Sequence, residues 1–166
     1  MTARQRRSRQ ELFEELVAEV RASQVAQDMT DQAAADLLGV NRTDLRCMDV
    51  LDQRGRMTAG ELAEASGLTT GNVTAMLDRM ERAGYATRVR DSEDRRRVYV
   101  ELTPDAREVG REIYAPLAEG GEKLAKRYSE HELELLLEFT RFGREANEKL
   151  AAQLRERLEA GERRSA

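Results

Sequence analysis

Apolar residues recur at helical spacing over most of the chain and change to strict alternation in one stretch. From about Gln10 to Gln27, Leu12, Leu16 and Val20 lie along one stripe with Phe13 and Val17 beside it, which predicts an amphipathic helix. The basic, polar residues 1–9 ahead of it read as a frayed start. Thr30 reads as the cap of a separate short helix that ends at Leu38, with Gly39 as its stop and Val40 packing behind it. Asn41 reads as the cap of the next helix, whose Leu45, Met48 and Leu51 face inward. Arg54-Gly55 ends that helix and leads to a short strand at Met57.

The stretch from Thr58 to Thr103 has almost no spare residues. Thr58 and Glu61 have the spacing of a capping box, each side chain satisfying the other's backbone N–H. Leu62 and Ala63 begin a buried face, and Gly67 sits where a left-handed stop is needed. Leu68 fills the turn, and Thr69 caps a second helix. That helix turns Val73, Met76, Leu77 and Met80 inward and leaves Gly71, Thr74, Ala75, Asp78, Arg79 and Arg82 outward. Its outer face is therefore slim at the N-terminal end. Gly84 closes it. Two strands follow, Tyr85, Thr87 and Val89 alternating with Ala86, Arg88 and Arg90, and then Val98, Val100 and Leu102 alternating with Arg97, Tyr99 and Glu101. The loop between them carries Arg95, Arg96 and Arg97 at its far end.

Helix, turn, helix and basic hairpin in this order make a winged helix-turn-helix. A slim helix face suits the major groove, where bulk would block approach to base edges. An arginine-tipped hairpin suits the narrow, electronegative minor groove. The competing use of the same shape is protein contact alone, with the arginines as a solvated face.

Beyond the hairpin, Thr103-Pro104 is a helix start: a capping hydroxyl, then proline in the first turn. Val109, Ile113, Leu117, Leu124 and Tyr128 trace its apolar line, while Pro116 predicts a kink and a hinge, and Gly120-Gly121 weaken it further. Ser129 and Glu132 make another capping box, and Leu136, Phe139, Gly143, Ala146, Leu150, Leu154 and Leu158 give the last helix a long apolar side. Helices at both ends thus carry more apolar surface than a small core covers, which predicts a subunit interface.

Net charge is −4, which on its face discourages a nucleic-acid partner. The distribution reverses that reading: Arg79 to Arg97 holds seven arginines against four acids, so this segment is +3 and the remainder −7. The apolar runs are too short to cross a bilayer, and no apolar core of an export signal follows the basic start. The single cysteine forms no internal disulfide and fits a reducing cytoplasm.

Candidate chemistry is sparse. Cys47, among Leu45, Met48 and Val50, reads as a buried thiol, with a thiol-redox switch as the sharper alternative. His131, between Glu130 and Glu132, reads as a surface histidine rather than a metal ligand. Met76 and Met80 read as core, and Asp91 and Glu93 as residues that shape the hairpin turn. No phosphate loop, catalytic triad or metal-ligand cluster stands out, so the pattern predicts no enzyme and no cofactor.

The support helix, the segment ELAEASGLTTGNVTAMLDRMERAGY, the hairpin DSEDRRRVYVELT and the two long helices after it resemble the MarR (multiple antibiotic resistance regulator) family. The family typically has an Asp-x-Arg element in its wing, matched here by Asp94-Arg95-Arg96. The resemblance implies that Arg96 enters the minor groove, that Asp94 holds the wing in shape, and that Thr69 to Arg79 read the major groove. It further implies an obligate dimer built from terminal helices, and a small aromatic or phenolic effector bound between the dimer lobe and the DNA lobe. Many members carry an arginine where this chain has Ala75, which implies a different base readout there.

The expectation is therefore a mainly α protein with a small β-hairpin wing (α+β). Its parts are residues 1–40, in the dimerisation lobe, 41–103, the winged helix-turn-helix, and 104–166, the C-terminal dimerisation helices. Double-stranded DNA is the expected partner, contacted by Thr69, Thr70, Gly71, Asn72, Thr74, Ala75, Arg79, Arg90, Asp94, Arg95, Arg96 and Arg97. A second copy is expected against Leu12, Leu16, Val20, Leu136, Leu150, Leu154 and Leu158. The expected function is a ligand-responsive repressor of a pseudo-palindromic operator.

Overall fold

A computed structural model describes residues 7–161; residues 1–6 and 162–166, with the sequence expectations that fall on them, lie outside it. The order is α1 (Arg9–Leu38), α2 (Arg42–Arg54), β1 (Met57–Thr58), α3 (Ala59–Ser66), α4 (Thr70–Arg82), β2 (Ala86–Arg90), β3 (Val98–Leu102), α5 (Pro104–Ala125) and α6 (Glu130–Glu159). The three strands form one antiparallel sheet in the order β1-β3-β2. The fold is thus mainly helical with a small wing, as the pattern predicts.

The first helix differs from expectation. α1 is one helix of 30 residues, where the sequence suggests two with Thr30 as a cap. Nothing between Glu11 and Leu38 is glycine or proline, so nothing stops the ladder. Thr30 sits inside it and donates its hydroxyl back to the carbonyl of Ala26 at 3.2 Å. The working cap is Ser8, which forms a capping box with Glu11. Ser8 and Arg9 are therefore ordered parts of a helix start. Gly39 ends the helix in the left-handed conformation (φ 67°), and the N–H of Val40 reaches back to the carbonyl of Ala35.

Contacts divide the chain into two compact units, Met1–Ile113 and Tyr114–Ala166. The division falls inside α5, ten residues beyond the expected boundary at 103, because the first turn of α5 joins the winged core through buried Ala106. The first unit is built around Cys47, Met48, Leu51, Leu62, Val73, Met76, Leu77, Met80, Val100 and Leu102. All four residues predicted to face inward from α4 are buried there. Tyr85 fastens the end of α1 to the start of the wing by donating its hydroxyl to the carbonyl of Leu38 at 2.9 Å. Thr103 ties the wing's exit to its entry, donating to the carbonyl of Gly84 at 2.8 Å, and caps α5 by accepting from the N–H of Ala106.

The second unit holds the rest of α5, with Pro116 inside the helix, and α6, whose Ser129–Glu132 capping box forms as predicted. None of α6's described residues is buried.

Candidate nucleic-acid interface

The exposed face of α4 is shaped by its own hydrogen bonds. Thr69 accepts from the N–H of Asn72 at 3.3 Å, fixing the helix start. Thr74 donates its hydroxyl to the carbonyl of Thr70 at 3.1 Å. Its proton is spent, so it offers outward a methyl group and acceptor lone pairs. Gly71, Asn72, Thr74 and Ala75 are all exposed, with no long side chain among them.

The hairpin tip is folded by two aspartates. Asp91 accepts from the backbone N–H groups of Glu93 (2.7 Å) and Asp94 (2.9 Å). Those two bonds, with the nearby charges of Arg56 and Arg97, hold the Asp91 carboxyl below the usual aspartate range. Asp94 accepts from the N–H of Arg96 at 3.1 Å, and its carbonyl accepts from the N–H of Arg97 at 2.8 Å. Arg56 lies over the ring of Tyr99, 4.9 Å from its centroid, and steadies the base of the hairpin. Arg95 and Arg96 project from the folded tip, exposed and without an ion pair among the described residues.

The MarR family model matches residues 40–98, the span from the end of α1 through the wing tip. The HTH-type transcriptional regulator YcgE of Bacillus subtilis (strain 168) is 44% identical over 135 residues, covering 81% of this chain and 87% of YcgE. The chain belongs to the MarR family. It is a DNA-binding transcriptional regulator of the winged helix-turn-helix type. Solved structures share the fold: a MarR family protein from Bacillus stearothermophilus (TM-score 0.59, 20% identity, 87% of this chain and 99% of that one) and NadR in complex with 4-hydroxyphenylacetate (TM-score 0.55, 19% identity, 84% and 95%).

Within this MarR fold, several of the arginines counted from sequence are held by protein acceptors. Arg79 is engaged by Asp44 of α2, through Nε (3.1 Å) and Nη2 (2.6 Å). Arg97 turns back toward Asp94, 3.9 Å away. Arg82 donates Nε to the carbonyl of Asp78 at 3.0 Å. Arg88 is held between Asp78 (2.8 Å) and Glu81, and Glu81 also accepts from the Arg88 backbone N–H at 3.1 Å. That leaves Arg90, Arg95 and Arg96 as exposed cations of the wing without an ion pair among the described residues.

The position of Arg88 follows from strand register. Ala86 pairs with Leu102, Arg88 with Val100 and Arg90 with Val98. Residues directly opposite share a sheet face. Arg88 therefore lies on the core side of the wing, past the end of the apolar packing, where it meets the acids on α4. The alternation is visible in sequence, but the clamp between wing and reading helix is not.

Sequence reasoning also missed Asp44, Asp78, Glu81 and Arg56 as shapers of this interface. Asp78 and Glu81 do share one helical face just before the strand that bears Arg88, but only the strand register brings the three together. Asp44 had no signal: it lies 35 residues from Arg79 and sits at an ordinary position in a helix's first turn.

Cys47 is fully buried, and burial pushes its thiol up, the nearby Ser66 side chain and Arg46 charge opposing it less strongly. Ser66 itself donates to the carbonyl of Leu62 at 2.6 Å. His131 is exposed and 3.9 Å from Glu134. No cluster of His, Cys, Asp or Glu among the described residues has metal-binding geometry, and no described helix is long and apolar enough to cross a membrane.

Proposed function

We propose that the protein is a ligand-responsive repressor that binds a pseudo-palindromic operator as a homodimer. The observation that carries this reading is the pairing of a slim, exposed α4 face with a hairpin whose Arg90, Arg95 and Arg96 are left uncommitted. In it, Thr69, Thr70, Gly71, Asn72, Thr74 and Ala75 occupy the major groove. Arg95 and Arg96 enter the minor groove and contact its flanking phosphates, with Arg90 on the backbone and Asp94 and Arg97 shaping the tip. A second copy supplies the other half-site through Leu12, Leu16, Val20, Leu136, Leu150, Leu154 and Leu158. A promoter so covered is closed to polymerase. The protein works in the cytoplasm, where chromosomal DNA lies.

An aromatic or phenolic effector is supported by the fold shared with NadR, which was solved with 4-hydroxyphenylacetate. Its binding lowers DNA affinity by changing the spacing of the two reading heads.

The test is selection of bound genomic fragments with the purified protein, followed by footprinting. The expected footprint is two-fold symmetric, with half-site centres about 10 base pairs apart. Affinity should fall steeply with salt as neutralised phosphates release counterions. A footprint of one half-site, or a flat salt profile, counts against the reading. Titrating the complex with 4-hydroxyphenylacetate and related phenols should release the DNA; no release by any of them removes the phenolic effector.

A further inference from the structure

Asp44 faces the reading helix from behind, and its carboxylate is withdrawn from water: the residue is 3% exposed. Its own helix start does not use that carboxylate, because Asn41 supplies the cap by accepting from the Asp44 N–H at 2.9 Å. The carboxylate instead receives two bonds from Arg79, Nε to Oδ2 at 3.1 Å and Nη2 to Oδ1 at 2.6 Å. Nη1 donates to the carbonyl of Ala75 at 3.3 Å. Every guanidinium nitrogen of Arg79 thus has a protein acceptor. Yet the side chain is 44% exposed, on the outward face of α4 beside Asn72 and Ala75.

An arginine on a groove-facing helix is the side chain best matched to guanine, whose O6 and N7 accept a two-pronged donor. Asp44 occupies those same prongs. Guanine is neutral, whereas Asp44 is a carboxylate, and charge-assisted bonds are the stronger. Moving Arg79 to a base would also leave Asp44 buried without its partner, which is costly.

We propose that Asp44 is a specificity-determining residue: by holding Arg79 against α2 it withholds a guanine-reading arginine from the groove. The base preference is then set by the short side chains Thr70, Thr74 and Ala75. This inference rests on α4 lying in the major groove, as proposed above.

The experiment is sequencing of sites selected from a randomised operator by the full-length chain and its variants. Asp44→Leu frees Arg79, which is exposed enough to swing into water or the groove. The pair Asp44→Leu with Arg79→Met replaces the ion pair by apolar contact and leaves no orphaned charge. Asp44→Leu should gain a preference for guanine at one position per half-site, by roughly 5- to 150-fold, the worth of a bidentate base contact. The double variant should keep the wild-type preference at every position. If the double variant loses a preference that the wild type has, Arg79 reads a base and the proposal is overturned. An unchanged preference in folded Asp44→Leu overturns it too. Should Asp44→Leu alone fail to fold, the double variant decides: retained preference supports the proposal and lost preference overturns it. Thr70→Val and Thr74→Val separate this from the parent reading. If neither alters the selected sequence, α4 is not the reader and both readings fall; if either alters it while Asp44→Leu does not, only this one falls.

Discussion

Single side chains at the wing tip carry the strongest expectations. Arg96 stands on a turn whose backbone is held by Asp91 and Asp94, so the tip is shaped before any partner arrives. Arg96→Ala should weaken operator binding by about 1–3 kcal/mol in an anisotropy titration, the scale of one base-level contact. Undiminished affinity would take the wing out of the interface. Asp91 makes a pH-dependent contribution whose sign is set by its lowered folded pKa. Its support of the tip is in force above the unfolded value, about 3.9, and is lost as pH falls through the lower folded value. The amide resonances of Glu93 and Asp94 should therefore titrate below that value; a midpoint at or above it contradicts the hydrogen bonds. Cys47 is buried and its thiol is pushed up, both of which disfavour the reactive thiolate. Cys47→Ser should leave any response to peroxide unchanged, and a lost response would install the cysteine as a sensor. At this scale the sequence reveals residue types and local turns. It makes the Asp94–Arg96 turn legible because the two are neighbours, and it hides the ion pairs of Arg79 and Arg88 because their partners are not.

Between elements, the clamp of Arg88 on Asp78 and Glu81 fixes the wing relative to α4. Charge alone and geometry give opposite predictions for its removal. Glu81→Gln deletes an acid close to the DNA-facing surface, which by charge should strengthen phosphate binding. If the clamp positions the wing, the same change weakens binding and loosens protection of the minor groove while major-groove protection persists. Arg88→Ala, which removes the cation of the clamp, should weaken binding in the same way. Tighter binding by Glu81→Gln would show the clamp to be idle. The elements themselves are legible because their ends are local chemistry: Thr58–Glu61, Thr69, Ser129–Glu132, Gly39 and Gly67 all act where their spacing puts them. The exception is α1. Thr30 looks like a cap in isolation, but helix on both sides lets its hydroxyl bond backward instead.

On the scale of the whole molecule, the first and last helices carry many exposed apolar side chains. α6 runs 30 residues without one buried side chain, and Leu150 and Leu154 are 53% and 48% exposed. In the proposed homodimer that apolar surface is what the second copy covers. Leu150→Glu with Leu154→Glu should convert a dimer to monomers in sedimentation velocity and cost most of the operator affinity, since one half-site is then read alone. A variant that stays dimeric moves the interface elsewhere.

The sequence by itself determined the helices, their caps, the alternation of the wing and the concentration of arginine beside α4, because each depends on residues within a few positions of one another. Only the tertiary structure decided which arginines remain free. Asp44 meets Arg79, and Arg88 meets Asp78 and Glu81, across packed elements and by strand register, and ion pairs at that range leave no periodic mark in the chain. Burial then decided the setting of two side chains, taking Asp44 and Cys47 out of water.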